Sequence, residues 1–224
     1  VWTLRRGRPA AEVAAPRWLA ALLDEGSGLV LVTMHAGSWE ASAAVIAERR
    51  DDLMVYAKAQ RDADMDALVN AQRTALGMEV VFARRGGAGE MIGVLRNLRR
   101  GGSVGLVADQ MPTGDDGCDG YFFDVPTRLH LGPATLARLG KARVVPAVCL
   151  RAGAGRNRFY VGRPIAARGD DAQTVQACMD ALAAILAAVP GQYFWQHRRF
   201  KRVVDLPPRP QSPWRRGLSL LVRG

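Results

Sequence analysis

Cysteine is scarce: Cys118, Cys149 and Cys178 are the only three in 224 residues. The number is odd and no C-x-x-C spacing occurs, so neither a disulfide framework nor a thiolate zinc site is expected, and a reducing compartment is the simpler reading. Cys149 and Cys178 stand among apolar neighbours and read as small core residues. Long apolar runs are missing as well. The longest candidates, residues 28–34 and 181–189, fall far short of the ~18 residues that span a bilayer, so no membrane-crossing helix is expected. The chain begins at Val1 rather than methionine, which leaves room for a removed anchor or targeting segment.

Several signatures of other chemistries are absent. No serine or cysteine sits in a G-x-S-x-G elbow. Residues 84–89 (Arg-Arg-Gly-Gly-Ala-Gly) are phosphate-cradle-like in composition but lack the lysine and Ser/Thr of a P-loop. Residues 114–120 carry three aspartates without the spacing or terminal glutamate of a calcium loop. There is no internal repeat, and only the tail from Pro207 to Pro213 approaches low complexity.

Positive charge is abundant. The formal net charge is +10, with basic clusters at Arg5–Arg8, Arg198–Arg202 and Arg215–Arg216. Such a field attracts anions: nucleic acid, anionic phospholipid headgroups, phosphorylated glycolipids and acidic carrier proteins all qualify. The composition, 49% hydrophobic and 23% charged, is that of an ordinary folded domain.

The chain alternates between helical and strand-like segments. Residues 10–25 read as a helix interrupted by Pro16, 29–34 as a buried strand, and 38–49 as a helix capped by Ser38. Strands follow at 53–57 and 79–83 around a helix at 62–76, then a helix at 86–100 and a strand at 104–108. After a loop over 109–120 and an extended piece at 121–125 come a helix near 133–139, strands at 143–150 and 158–161, and a long helix at 172–189. This βα alternation with short, continuously apolar strands predicts a single α/β domain over residues 1–206, a mainly parallel sheet flanked by helices on both faces. Residues 207–224 read as a proline-containing basic tail that leaves the domain.

The stretch from Leu29 to Glu40 (Leu-Val-Leu-Val-Thr-Met-His-Ala-Gly-Ser-Trp-Glu) carries the chemistry. A buried strand ends in His35 and a helix starts three residues later, at the carboxyl end of a strand, where ligands of open α/β sheets bind. Gly37 permits a tight turn, and Glu40 falls in the first helical turn, within reach of the imidazole. A carboxylate beside a histidine sets its tautomer and stabilises the imidazolium, so the other ring nitrogen can take a proton from an alcohol. With no nucleophile elbow in sight, direct attack by a substrate hydroxyl is expected rather than a covalent acyl-enzyme.

Four ordered blocks give this pattern a resemblance. His35-Ala36-Gly37-Ser38-Trp39-Glu40 comes first, then Leu106-Val107-Ala108-Asp109-Gln110 with the aromatic Tyr121-Phe122-Phe123. Val125-Pro126-Thr127 with Leu131-Gly132-Pro133-Ala134 and Val144-Val145-Pro146-Ala147 follow, and Trp195-Gln196-His197-Arg198-Arg199-Phe200-Lys201 closes the series. Together they resemble the lysophospholipid acyltransferase superfamily, and more closely the lauroyl and myristoyl acyltransferases of lipid A biosynthesis.

The resemblance implies an α/β acyltransferase that needs no cofactor or metal. His35 would be the base, Glu40 its partner, and Arg73 with Asp109 a second pair lining the site beside Gln110. Trp39, Phe122 and Phe123 would line the acyl groove. Arg198 and Arg199, with His197 and Lys201, would contact a phosphorylated lipid or the acidic donor carrier, and Phe194 and Trp195 would suit a membrane interface. His130 and His197 are expected in structural or phosphate-contacting roles. The implied partners are an acyl carrier protein or acyl-CoA donor, a lipid acceptor and an anionic membrane surface at the cytoplasmic face of the inner membrane. Nucleic acid is not expected, although a nucleic-acid-binding protein without catalysis is the rival the charge allows. Other rivals are a different lipid acceptor, such as a lysophospholipid, mannosylated inositol lipid or amino-acid lipid, and a degenerate member that binds without turnover.

Overall fold

The computed structural model describes residues 4–5, 8–9, 17–60, 62–82, 88–112, 114, 116–153, 156–167, 169–201 and 204–209. In chain order the elements are β1 (Leu4–Arg5), β2 (Arg8–Pro9), α1 (Arg17–Asp24), β3 (Leu29–Thr33), α2 (Trp39–Ala47), β4 (Leu53–Ala57), α3 (Ala63–Ala75), β5 (Glu79–Phe82) and α4 (Ala88–Arg99). There follow β6 (Ser103–Val107), β7 (Gly117–Phe122), β8 (Val125–His130), α5 (Gly132–Gly140), β9 (Arg143–Arg151), β10 (Asn157–Val161), β11 (Ile165–Ala166), α6 (Asp171–Ala187) and two 3-10 turns, Pro190–Gln192 and Trp195–His197.

Strands β9, β3, β6, β4 and β5 lie side by side in parallel, and β10 and β11 join β9 antiparallel. The fold class expected from the sequence, an α/β domain around a mostly parallel sheet, is therefore present. Every residue of β3 is buried, as a strand covered on both faces requires. Successive side chains alternate: Leu29, Leu31, Val145, Ala147 and Cys149 pack toward α1 and α2, while Val30, Val32, Met34, Val144 and Val148 pack toward α4, α5 and α6. The apolar stripe of α6 carries Val175, Cys178, Met179, Leu182, Ile185 and Leu186 into that second layer.

Helix starts follow local chemistry. Asp62 accepts from the Met65 amide at 2.9 Å and Asp170 from the Ala172 amide at 2.7 Å, both side-chain caps. Ser38 occupies the N-cap of α2 without a side-chain cap bond, so the expected serine cap is positional only. The parts of the expected first helix before Arg17, and residues 83–87 with the arginine-glycine stretch, lie outside the described residues.

One element differs in kind from the sequence reading. Part of the expected loop and the extended piece after it form a hairpin, with Gly117 opposite His130 and Phe122 opposite Val125. Its two-residue turn is Phe123-Asp124, at φ of 53° and 64°. Two positive φ values match the strand twist, but such turns are advertised by Asn-Gly or Asp-Gly, not by Phe-Asp, so nothing in the sequence announced it. Gln176 of α6 pins the hairpin, accepting from the Tyr121 amide at 2.7 Å and donating to its carbonyl at 3.0 Å.

The proline-containing segment stays on the domain as far as Arg209. Tyr121 donates its hydroxyl to the Pro207 carbonyl at 2.6 Å, and Arg209 makes a bidentate pair with Asp180 at 2.6 and 2.9 Å. Trp214, Arg215, Arg216 and the apolar residues 218–222 lie outside the described residues. Among the described residues no helix is long and apolar enough to cross a membrane.

Leu182 is fully buried at the centre of the α6 layer. Leu182→Ala is expected to cost about 2–5 kcal/mol, read as a lower urea midpoint with an unchanged m-value.

Candidate active site

The site is built where β3 and β6 end. The two strands are parallel, with Thr33 opposite Val107, and the Ala108 amide extends the ladder to the Thr33 carbonyl at 3.1 Å. Two residues beyond that register stand His35 on one strand and Asp109 on the other. His35 Nδ1 and Asp109 Oδ1 are 2.7 Å apart. Asp109 is 1% exposed and the His35 side chain 24%. Burial works to raise the Asp109 carboxyl, but the hydrogen bond and charge of His35, with help from Tyr193, outweigh it and hold the group below its ordinary value. An ionised Asp109 accepts a hydrogen bond from Nδ1–H, which leaves Nε2 as the unprotonated nitrogen of the neutral ring, with the Gln110 side-chain nitrogen 3.5 Å away.

The loop carrying His35 is held by backbone bonds on both sides. The His35 carbonyl accepts from the Phe194 amide at 2.8 Å, Gly37 donates to the Gln192 carbonyl at 2.9 Å, and Ser38 donates to the Cys149 carbonyl at 2.8 Å. Gly37 has φ of 59°, and a Cβ there would stand 2.3 Å from the Cys149 carbonyl oxygen, so only glycine fits.

Glu40 does not touch His35. It forms a bidentate pair with Arg73 in the last turn of α3, Nη2 to Oε1 at 2.5 Å and Nε to Oε2 at 3.1 Å. This corrects the expected pairing, in which Glu40 served His35 and Arg73 served Asp109: the partners are exchanged. On α2, Ala41, Ala44, Val45 and Ile46 pack into the core, while Trp39 and Glu40 border the cleft beside Arg73 of α3.

Trp39 lies beside His35, its ring centroid 5.4 Å from that of the imidazole. With Glu40 and Arg73 it lines a largely apolar cleft between α2 and the sheet, whose floor includes Leu31, Val55, Gly105, Val107 and Phe159. The cleft is narrow, with a cavity volume of about 60 Å³.

Phe122 was expected to line an acyl groove, yet it is 1% exposed and sits in an aromatic cluster with Phe123, Tyr193 and Phe200. It is core, because the hairpin turns its side chain inward against the C-terminal block. Phe123 is half-buried and packs toward Trp195. Arg199 was expected at the surface and is instead 2% exposed. It donates to Thr127 Oγ1 at 2.9 Å and to the Arg128 carbonyl at 3.0 Å, with its guanidinium 5.6 Å over the Phe122 ring. Burial pulls its pKa down, against the influence of Tyr193 and Asp109. A buried guanidinium held this way positions the hairpin and does not meet a surface phosphate. Arg198, in contrast, is exposed, as is Lys201.

Two residues beside the site had no catalytic reading in the sequence. Tyr193, 4% exposed, faces Asp109 closely enough that burial and that negative charge push its hydroxyl well above the ordinary phenol range, though its oxygen has no partner at hydrogen-bonding geometry. His197 is half-buried with Nε2 enclosed and unpartnered; burial lowers its pKa while Asp109 opposes the shift. The W-x-H block carried His197 but gave no sign of its direction. His130 pairs with Asp116 at 3.6 Å.

The family described as bacterial lipid A biosynthesis acyltransferase matches residues 9–202. This chain belongs to that family. Among curated proteins, the phosphatidylinositol mannoside acyltransferase of Mycobacterium tuberculosis, in two strains, is 29% identical over 175 residues, 78% of this chain and 55% of the relative. A protein of the same name from Mycolicibacterium smegmatis is 26% identical over 184 residues, 82% of this chain and 60% of the relative. The family member in hand thus spans somewhat over half the length of the curated relatives it matches.

The Asp109 arrangement sets an acid limb of stability. A carboxyl whose folded pKa is depressed contributes stability that is complete above the unfolded value near pH 4 and is lost as pH falls through the folded one. Asp109→Asn should therefore flatten the fall of unfolding free energy below about pH 4; an acid limb identical to that of the parent protein in urea titrations would contradict the assignment.

Proposed function

We propose that the protein transfers a fatty acyl group from an activated thioester to a sugar hydroxyl of a glycolipid. The observation that carries this reading is the buried Asp109 bonded to His35 Nδ1 beside an apolar cleft, in a chain of this family. In the proposed reaction His35 Nε2 removes the acceptor's hydroxyl proton as that oxygen attacks the thioester carbonyl. Asp109 stabilises the imidazolium that forms. Collapse of the tetrahedral intermediate expels the thiolate, which takes a proton from the imidazolium, so the histidine returns neutral after each turnover. The acyl chain occupies the cleft behind Trp39. A donor to the oxyanion is worth roughly 3–4 kcal/mol in such sites, and Arg73, already fixed by Glu40 at the cleft mouth, is the charged group best placed to supply it.

The relatives are named for a mannosylated inositol lipid and the family for lipid A, so both acceptors are sugar-bearing lipids with anionic groups. We favour the mannosylated inositol lipid, on the relatives' names, and keep the lipid A precursor as the second reading. The donor is an acyl carrier protein or acyl-CoA. Exposed Phe194 and Trp195, 45% and 43% accessible, lie within seven residues of exposed Arg198 and Lys201 and suit docking at an anionic membrane surface.

His35→Ala is expected to lower acyl transfer by about 10²–10⁴-fold without changing the folded circular-dichroism spectrum. Transfer from radiolabelled acyl thioester to each acceptor, followed by chromatography of the lipids, reads this directly, and undiminished turnover in the variant refutes the base. Glu40→Gln should loosen Arg73 and raise KM and lower kcat together, whereas Asp109→Asn should act on kcat and shift its pH dependence.

A further inference from the structure

The largely apolar cleft behind Trp39, besides the Glu40–Arg73 pair and Tyr56, is lined by two residues whose hydroxyls nothing in the fold satisfies. Thr33 Oγ1 on β3 and Ser42 Oγ on α2 have no hydrogen-bond partner, and the residues are 9% and 6% exposed. Both line the cleft, one on its floor and one on its helical wall. A helical serine commonly turns its hydroxyl back onto the carbonyl four residues earlier. Here the Ser38 carbonyl takes the Ala41 amide at 3.0 Å and Ser42 makes no such bond. Buried hydroxyls without partners are unfavourable and call for an explanation.

Their depth in the cleft follows from the strand register. Thr33, Val107 and Ala57 form the last row of side chains on the α2 face before the strands end, and Leu31, Gly105 and Val55 form the row about 7 Å deeper. Gly105, with no side chain, leaves the floor of that deeper row open. Thr33 therefore sits in the row nearest the strand end that leads to His35, above an apolar floor, and Ser42 lines the same cleft from α2.

We infer that the cleft selects an acyl chain bearing an oxygen substituent, a hydroxyl or keto group, on one of its first carbons after the thioester. Thr33 and Ser42 are the specificity-determining residues, and the deeper apolar row holds the rest of the chain. A hydroxyl substituent both donates and accepts, and a keto oxygen accepts, so either satisfies groups that an unsubstituted chain leaves orphaned. The inference rests on the acyl-transfer reading above and refines its donor.

The test compares chain-length-matched acyl thioesters, unsubstituted, 2-hydroxy, 3-hydroxy and 3-oxo, in the parent protein and in Thr33→Val, Ser42→Ala and the double variant. The readout is the ratio of kcat/KM between oxygenated and plain chains within each protein, so a general loss of activity cancels. The expected preference is on the order of tenfold for one oxygenated class, falling several-fold in each single variant and to about one in the double variant. Equal rates for all four donors in the parent protein, as when a trapped water satisfies both hydroxyls, overturn the inference; so does a preference that survives the double substitution. Thermal unfolding of the variants should be unchanged or improved, and a clear loss of stability, meaning the hydroxyls are already satisfied within the fold, also overturns it. Calorimetric binding of matched free acids, with and without the hydroxyl, decides the same question without turnover. If no thioester supports transfer to any acceptor, the acyl-transfer reading falls while the binding arm still decides this one.

Discussion

The site depends on the parallel register of β3 and β6. Had the two strands slipped by one residue, Asp109 would face the opposite side of the sheet and His35 would have no carboxylate. The register is held by burial on both faces: Val30, Val32 and Val104 fill one layer and Leu31 the other, so a slip would expose the layers to each other's partners. The hydrogen bond from Ala108 to Thr33 carries the ladder past the last assigned pair, and His35 and Asp109 then stand 2.7 Å apart.

Around that contact the protein separates two jobs that a single carboxylate could have shared. Asp109, buried and ionised, orients the histidine. Glu40, partly exposed at the cleft mouth, fixes an arginine through a bidentate pair whose planar geometry holds the guanidinium in place. A charged group that is held in advance needs no reorganisation when negative charge develops, which is the condition for strong electrostatic stabilisation. Trp39 packs beside His35 and also lines the largely apolar cleft, so the polar and greasy parts of the site meet at one indole.

The C-terminal block roofs this arrangement. Its backbone bonds from Phe194 and Gln192 fasten the His35 loop, and its Arg199 reaches inward to Thr127 and the Arg128 carbonyl of the hairpin. An arginine in a run of basic residues reads as surface charge, and Arg198 and Lys201 are indeed exposed. The 3-10 turn at Trp195–His197 and the left-handed Arg198 at φ of 54° swing the next side chain into the core, a reversal that depends on local backbone geometry rather than composition.

The alternation of apolar strands with capped helices was enough to establish a two-faced, mostly parallel α/β domain, because burial on both faces leaves continuous apolar runs that no other sheet produces so regularly. The same local reading found His35 at a strand end, and Gly37 as the residue the turn requires. What it could not supply was partnership. Glu40 is five residues from His35 and Asp109 is 74 away, yet the distant carboxylate holds the imidazole. The hairpin turn at Phe123-Asp124, the inward Arg199 and the orphaned hydroxyls of Thr33 and Ser42 were hidden for the same reason. Periodicity along one chain tells which side of its own element a residue occupies; which residue of another element stands opposite is decided only when the strands adopt their register and the helices pack down upon them.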